Sequence, residues 1–168
     1  KQLLQGLKCT LLVTIVSIFI GLGIGFLLCL ASYKENKIVI SLINGFSWIV
    51  RGLPTVVLLL IMYYVVFGSS SISGTVVSII SFSIVFSVTV CGLLNNGIRA
   101  IGKGQFEACA AVGYKNNAGF LKMILPQVVR FSLPGFKTEV IALIKATSIV
   151  GYIAVQDLTK TGDIIRSS

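Results

Sequence analysis

The sequence predicts an all-α integral membrane protein, and three observations carry that prediction. Of its 168 residues, 55% are hydrophobic and 11% are charged, whereas a soluble domain carries about 25% charged residues. Mean hydropathy is +0.99, so there is too little polar surface to clothe a soluble globule and lipid is the natural solvent for most of the chain. The charges are also spaced for a membrane. Lys8 and Lys34 are separated by 25 uncharged residues, and Arg51 and Arg99 by 47. A spanning helix needs about 20 apolar residues, so the first gap holds one span and the second holds two. Lipid admits only helices and closed barrels, and runs this long exceed the roughly ten residues of a barrel strand.

The elements follow in order. A first span is predicted over residues 9–31. Its apolar stretch is too long for a secretory signal peptide, and more membrane follows it. Within it, Gly21, Gly23 and Gly25 make a small-xxx-small pattern of the kind that lets helices approach closely in lipid, or else a flexible point in an ordinary helix. Lys34, Glu35 and Lys37 form a polar break. Residues 38–49 read as a short membrane-edge helix leading into a second span over 50–67, with Pro54 in its first turn, where a missing N–H costs nothing. Gly68 to Gly74 is a polar turn. A third span covers 75–97, and 98–124 is a polar loop. A fourth span over 127–153 begins just after Pro126 and takes in Arg130, Lys137, Glu139 and Lys145. Ionisable groups at membrane depth face other helices or a water-filled cavity. Residues 156–168 are polar again. The chain begins at Lys1 without an initiator methionine and stops as a new segment starts, as expected of a piece of a longer polypeptide.

Net charge is +9, but the basic residues gather in short segments between spans, which is a membrane-orientation signature and not a nucleic-acid surface. Residues 32–51 carry three Lys or Arg, 68–74 none and 95–123 four. Segments 32–51 and 95–123 are therefore expected in the cytoplasm. The N-terminus, 68–74 and 156–168 are expected outside.

Several chemistries are excluded. Cys9, Cys29, Cys91 and Cys109 include no C-x-x-C pair, and there is no histidine, so neither a metal site nor a disulfide framework is expected. Gly97 to Lys103 has the G-x-x-x-x-G-K spacing of a phosphate loop. It lacks the following Ser/Thr, however, and a membrane span precedes it where a strand belongs. No catalytic triad or carboxylate pair appears, so the chain is expected not to be an enzyme.

The strongest motif lies in the polar loop: Glu107-Ala108-Cys109, then Gly113, then Met123, Leu125 and Pro126. Ala108, Cys109, Ala110 and Ala111 are small enough for close approach to a partner. Glu107 near a helix start suits the dipole. Gly113 suits a sharp turn, and exposed Tyr114 and Phe120 suit helix-in-groove anchoring. This stretch resembles the EAA loop of ATP-binding-cassette importer permeases, E-A-A, three residues, G, nine residues, I-x-L-P. It holds the spacing throughout and departs only at Cys109 for Ala and Met123 for Ile. Arg51-Gly52-Leu53-Pro54 is similar to the R-G-T-P stretch of the polar amino-acid uptake family, with Leu53 for Thr. Gly97-Ile98, Ile101 and Gly104-Gln105-x-Glu107 resemble that family's run into the loop, and Ala146-Thr147-Ser148 and Asp157-Leu158-Thr159 its later segments.

The resemblance implies a type I importer permease bundle, with about four of its five spanning helices in this sequence and the fifth after its end. It implies that Gly104, Gln105, Glu107, Ala108, Cys109, Gly113, Phe120, Leu125 and Pro126 form the coupling loop on a separate ATPase, and that Arg51, Gly52 and Pro54 are structural. The implied partners are that ATPase (which carries the ATP and Mg), a second permease subunit, identical or not, an extracytoplasmic binding protein or fused binding domain, a polar amino acid and the lipid of a bacterial cell membrane. The mechanism implied is alternating access, with no cofactor in this chain.

The substrate-binding candidates are Glu139, Lys145 and Ser148. Glu139 and Lys145 are about 9 Å apart along a helix and about 120° apart around it, too far for a direct pair. They either flank a cavity, Lys145 meeting a solute carboxylate and Glu139 a cationic side chain, or sit in polar contacts between helices at a dimer axis. The alternatives are an ABC permease for a different small solute, or a secondary transporter or channel without an ATPase, which would need ion-coupling acids that the first three spans lack.

Overall fold

The computed structural model describes residues 2–33, 36–114, 116–153, 162 and 166. Lys34 and Glu35 of the polar break, Lys115 of the loop and the Asp157–Leu158–Thr159 stretch lie outside the described residues.

All regular structure among them is helical. α1 is Gln2–Tyr33, α2 Lys37–Gly52 and α3 Thr55–Leu60, the last continuing as a wider π-type turn over Ile61–Val66. α4 is Gly74–Ala100, α5 Lys103–Ala111 and α6 Asn116–Gly119, with a second π-type stretch over Phe120–Ile124. α7 is Leu125–Ala146, extended by a 3-10 turn over Thr147–Ile153.

α1 and α4 are each long and apolar enough to cross a bilayer alone. Their 32 and 27 residues correspond to about 48 and 40 Å. They run parallel, because Ser17 meets Ile79 and Cys29 meets Asn95. The glycines explain how close they come. A methyl at Gly21 would lie 2.9 Å from Phe86, and one at Gly25 only 2.5 Å from the Ser87 carbonyl, while Gly23 faces open space. The small-xxx-small pair is therefore a packing device. α1's other face leaves Leu11, Phe19 and Leu27 exposed, as lipid permits. Ser78 and Ser81 are buried in serine-rich α4 and, with half-buried Thr89, return their hydroxyls to carbonyls one turn back.

α7 packs antiparallel on α4. Ser132 Oγ donates to the Leu93 carbonyl at 3.1 Å, and Gly97 and Gly135 lie against Val128 and Leu93 respectively. Gly97 is thus a helix-packing glycine in a continuous helix. With 22 residues α7 is long enough to span, although it carries four charged side chains and Pro134. Pro126 falls in its first turn.

The segment read as a second span is broken. α2 and α3 meet at 103°, and they count as one span only if taken together across that elbow. Pro54 caps α3 instead of lying inside its first turn. It forces Leu53 into an extended conformation (φ −95°, ψ 131°), which ends α2. The twelve residues 55–66 reach only about 18 Å. α4 also runs past the expected boundary at 97, to Ala100, and Asn95 lies within the bundle. There it accepts from Cys29 Sγ and donates to Cys91 Sγ.

Candidate functional site

The candidate coupling loop is two short helices joined at a glycine. Gly113 has φ +84°, the left-handed region that costs other residues about 1–2 kcal/mol. The Tyr114 N–H bonds to the Cys109 carbonyl and the Gly113 N–H to the Ala110 carbonyl, which together close a Schellman cap on α5. A side chain at 113 would meet nothing within 4 Å. Its glycine therefore answers to backbone conformation, not to space.

Beyond the turn the second helix folds back onto the first. A methyl at Gly119 would lie 3.3 Å from both Cys109 Cβ and Tyr114 Cβ. Cys109 is buried, and its Sγ lies 3.5 Å from Met123 Sδ. Gln127 ties the base of α7 to α5 through Gln105 at 3.3 Å. Gly104, Glu107, Ala108 and Pro126 are exposed, and Leu125 is half-buried at the start of α7.

Two expectations for this loop are corrected. Phe120 is buried at 4% exposure and stacks on Tyr33 with ring centroids 4.3 Å apart. It roots the loop on the end of α1 and cannot anchor a partner. Tyr114 at 37%, Leu121 at 50% and Val112 at 72% are the exposed large side chains instead. Glu107 is the fifth residue of α5, beyond the first turn within which the helix dipole acts.

The Tyr33–Phe120 stack also fixes the loop's place in the bundle. The C-terminal ends of α1 and α4 and the whole of α5–α6 share one end, and the Gly68–Gly74 turn lies at the other.

At the elbow, Arg51 donates from Nη2 to the Val88 carbonyl of α4 at 3.0 Å. Gly52 is exposed at the end of α2 and Pro54 caps α3.

The substrate candidates separate. Glu139 is half-buried and lines a cavity of about 90 Å3 with Thr55, Thr89, Leu143 and Ala146. Its carboxylate has no hydrogen-bond or ion-pair partner among the described residues. Lys145 and Ser148 are exposed and do not line this cavity, and the Ser148 hydroxyl is returned to the Lys145 carbonyl at 2.8 Å. One chain therefore does not gather the three into one pocket. The 120° offset places Lys145 on another side of the helix. A larger groove between α1, α4 and α7 is lined by apolar side chains such as Ile18, Leu22, Phe136 and Val140, and offers nothing to a polar solute.

A helical bundle with a lipid-compatible exterior, a two-helix loop capped at Gly113 at one end and ionisable side chains along α7 fits a membrane transport subunit. The chain belongs to the family of binding-protein-dependent transport system inner membrane components, whose model matches residues 12–167. It is similar to the arginine ABC transporter permease protein ArtQ of Haemophilus influenzae, at 31% identity over 95% of this chain and 75% of that protein. It is also similar to a putative glutamine transport system permease protein, GlnP, of Rickettsia felis, at 30% identity over 97% of this chain and 76% of that one. The fold matches the crystal structure of an amino acid ABC transporter with histidines, with a TM-score of 0.88 and 29% identity over 99% of this chain and 78% of that one. The chain is thus a membrane-spanning permease subunit with the type I fold.

Proposed function

We propose that the chain translocates polar amino acids, basic ones among them, into a bacterial cell as a multi-pass protein of the cytoplasmic membrane. The work comes from an ATPase subunit that binds ATP and Mg and docks on residues 103–124. A second permease, identical or different, completes the path, and an extracytoplasmic binding protein or fused binding domain delivers the solute. Closure of the ATPase pair moves the docked loops, and the permease pair rocks between inward- and outward-open states. By the Lys/Arg bias the loop faces the cytoplasm and residues 68–74 face outside.

The observation that carries this reading is the loop itself. It is capped at Gly113, rooted through Phe120 on Tyr33 and presents Ala108, Ala111 and Val112 outward, a small-residue surface on which a second protein can sit closely. The names of the relatives, for arginine and for glutamine, support an amino acid as solute. Glu139 supports a basic one: its half-buried carboxylate lines the cavity with no partner among the described residues, and a cationic side chain would supply one. Lys145, exposed in the single chain, is assigned to the solute's carboxylate from the side of the second permease.

The test is the ATPase activity of the assembled complex with its binding protein against a panel of amino acids. Stimulation by arginine, lysine, histidine or glutamine and not by leucine is expected. A flat response across the panel contradicts the reading.

A further inference from the structure

The elbow between α2 and α3 is held at one point of α4. Val50 before the break and Leu58 after it form a small buried cluster with Val88, and Leu53, Met62 and Val85 pack against it. Arg51 reaches the same turn, since its guanidinium donates to the Val88 carbonyl. That carbonyl already serves the helix's own ladder. It is reachable from the side because the residue four positions on is glycine. A helical side chain lies over the turn N-terminal to its own Cα, so any side chain at 92 would cover it. A methyl at Gly92 would collide with Arg51 Nη2.

We propose that Arg51 and Gly92 form a latch that fixes the elbow and thereby sets Thr55 against the Glu139 cavity, making Arg51 a positioning residue for the solute site. This rests on the reading of that cavity as the site of the solute's side chain. Thr55 follows Arg51 by four residues and lines the cavity with Thr89 and Glu139. Val85 belongs both to the packing at the elbow and to the cavity wall. The connector is stiff: Pro54 has a fixed φ and restricts Leu53 before it. A shift of the elbow is passed on to Thr55 and not absorbed. Arginine suits the task because its guanidinium fork spends one donor on Val88 while keeping others for the recess it shares with Asn44 and Ser47.

The test uses the complete transporter in proteoliposomes, with Arg51→Ala, Gly92→Ala and the double substitution, each with and without Thr55→Cys. Alanine is a better helix former than glycine, so Gly92→Ala does not weaken α4 as a helix, and Arg51→Ala adds no volume. Labelling at position 55 by a maleimide, located by mass spectrometry, is expected to change about tenfold in either single variant. The solute concentration for half-maximal uptake is expected to rise by a similar factor. Both singles remove the same contact, so the double is expected to be no worse than either. Gly45→Ala, where nothing lies within 4 Å, is expected to leave both readouts unchanged. Unchanged labelling in both singles, multiplying effects in the double, or changed labelling with wild-type half-saturation overturns the latch as a positioning device. Glu139→Gln run alongside keeps the two readings apart, because a silent Glu139→Gln condemns the assignment of the solute site whatever the labelling at position 55 shows.

Discussion

Cys109 Sγ and Met123 Sδ are 3.5 Å apart in the core of the two-helix loop, and these are the two positions at which this sequence departs from the EAA pattern it resembles. The two departures therefore meet in one contact. A thiol where the pattern has a methyl meets an unbranched thioether where it has a β-branched chain, and a flexible thioether fills an irregular gap well.

Coupling of that pair is the first prediction. Cys109→Ala or Met123→Ile alone should lower the melting temperature of the permease–ATPase complex, by a loss of about 1 kcal/mol each. The double variant, which restores the family's pair, should recover most of it. Losses that simply add would show that the two positions are independent.

Gly113 gives a sharper expectation. Because space around it is open and only its φ of +84° is demanding, replacement should follow backbone preference. Gly113→Val should cost about 2 kcal/mol or more at the turn and uncouple or release the ATPase, while Gly113→Asn, which tolerates the left-handed region, should keep much of the activity. Normal ATPase copurification and transport with valine at 113 would count decisively against the loop's assignment.

Orientation is checked by labelling. A cysteine placed at Ser71 should react with an impermeant maleimide in intact cells, and one at Asn116 only after permeabilisation. The reverse pattern overturns the positive-inside assignment.

How much of this was legible in the sequence varies with the range of the signal. Composition and charge spacing marked α1 and α4 because a span is a local property of some twenty residues. The glycine between the loop helices was legible for the same reason, since a left-handed cap is set by its neighbours. Phe120 was misread because its partner Tyr33 is 87 residues away, and an aromatic residue in a polar loop looks exposed until that contact is known. The elbow was missed. Pro54 read as a first-turn proline of one span, because the 103° bend depends on Val50 and Leu58 meeting Val88 on another helix. Gly92 gave no signal, because its role exists only once Arg51 arrives beside it. Glu139, Lys145 and Ser148 share one stretch of sequence, yet helical geometry spreads them over different faces.

Substrate preference follows from Glu139. In reconstituted vesicles, Glu139→Gln should depress arginine uptake about tenfold or more while changing glutamine uptake little, since a hydrogen bond to a charged group is worth roughly 1.5–3 kcal/mol. Unchanged uptake of both, or loss of glutamine uptake alone, removes Glu139 from the solute site.

We infer that an ATPase outside the bilayer drives this permease through its two-helix loop. The most direct measurement follows amino-acid uptake into proteoliposomes that hold the assembled complex, with binding protein outside and with or without enclosed ATP, in the presence of ionophores that collapse every ion gradient. Uptake is expected to need enclosed ATP, to ignore the ionophores and to disappear in Gly113→Val. Uptake that proceeds without ATP and stops when the gradients collapse would contradict it, and would mark the chain as a secondary transporter.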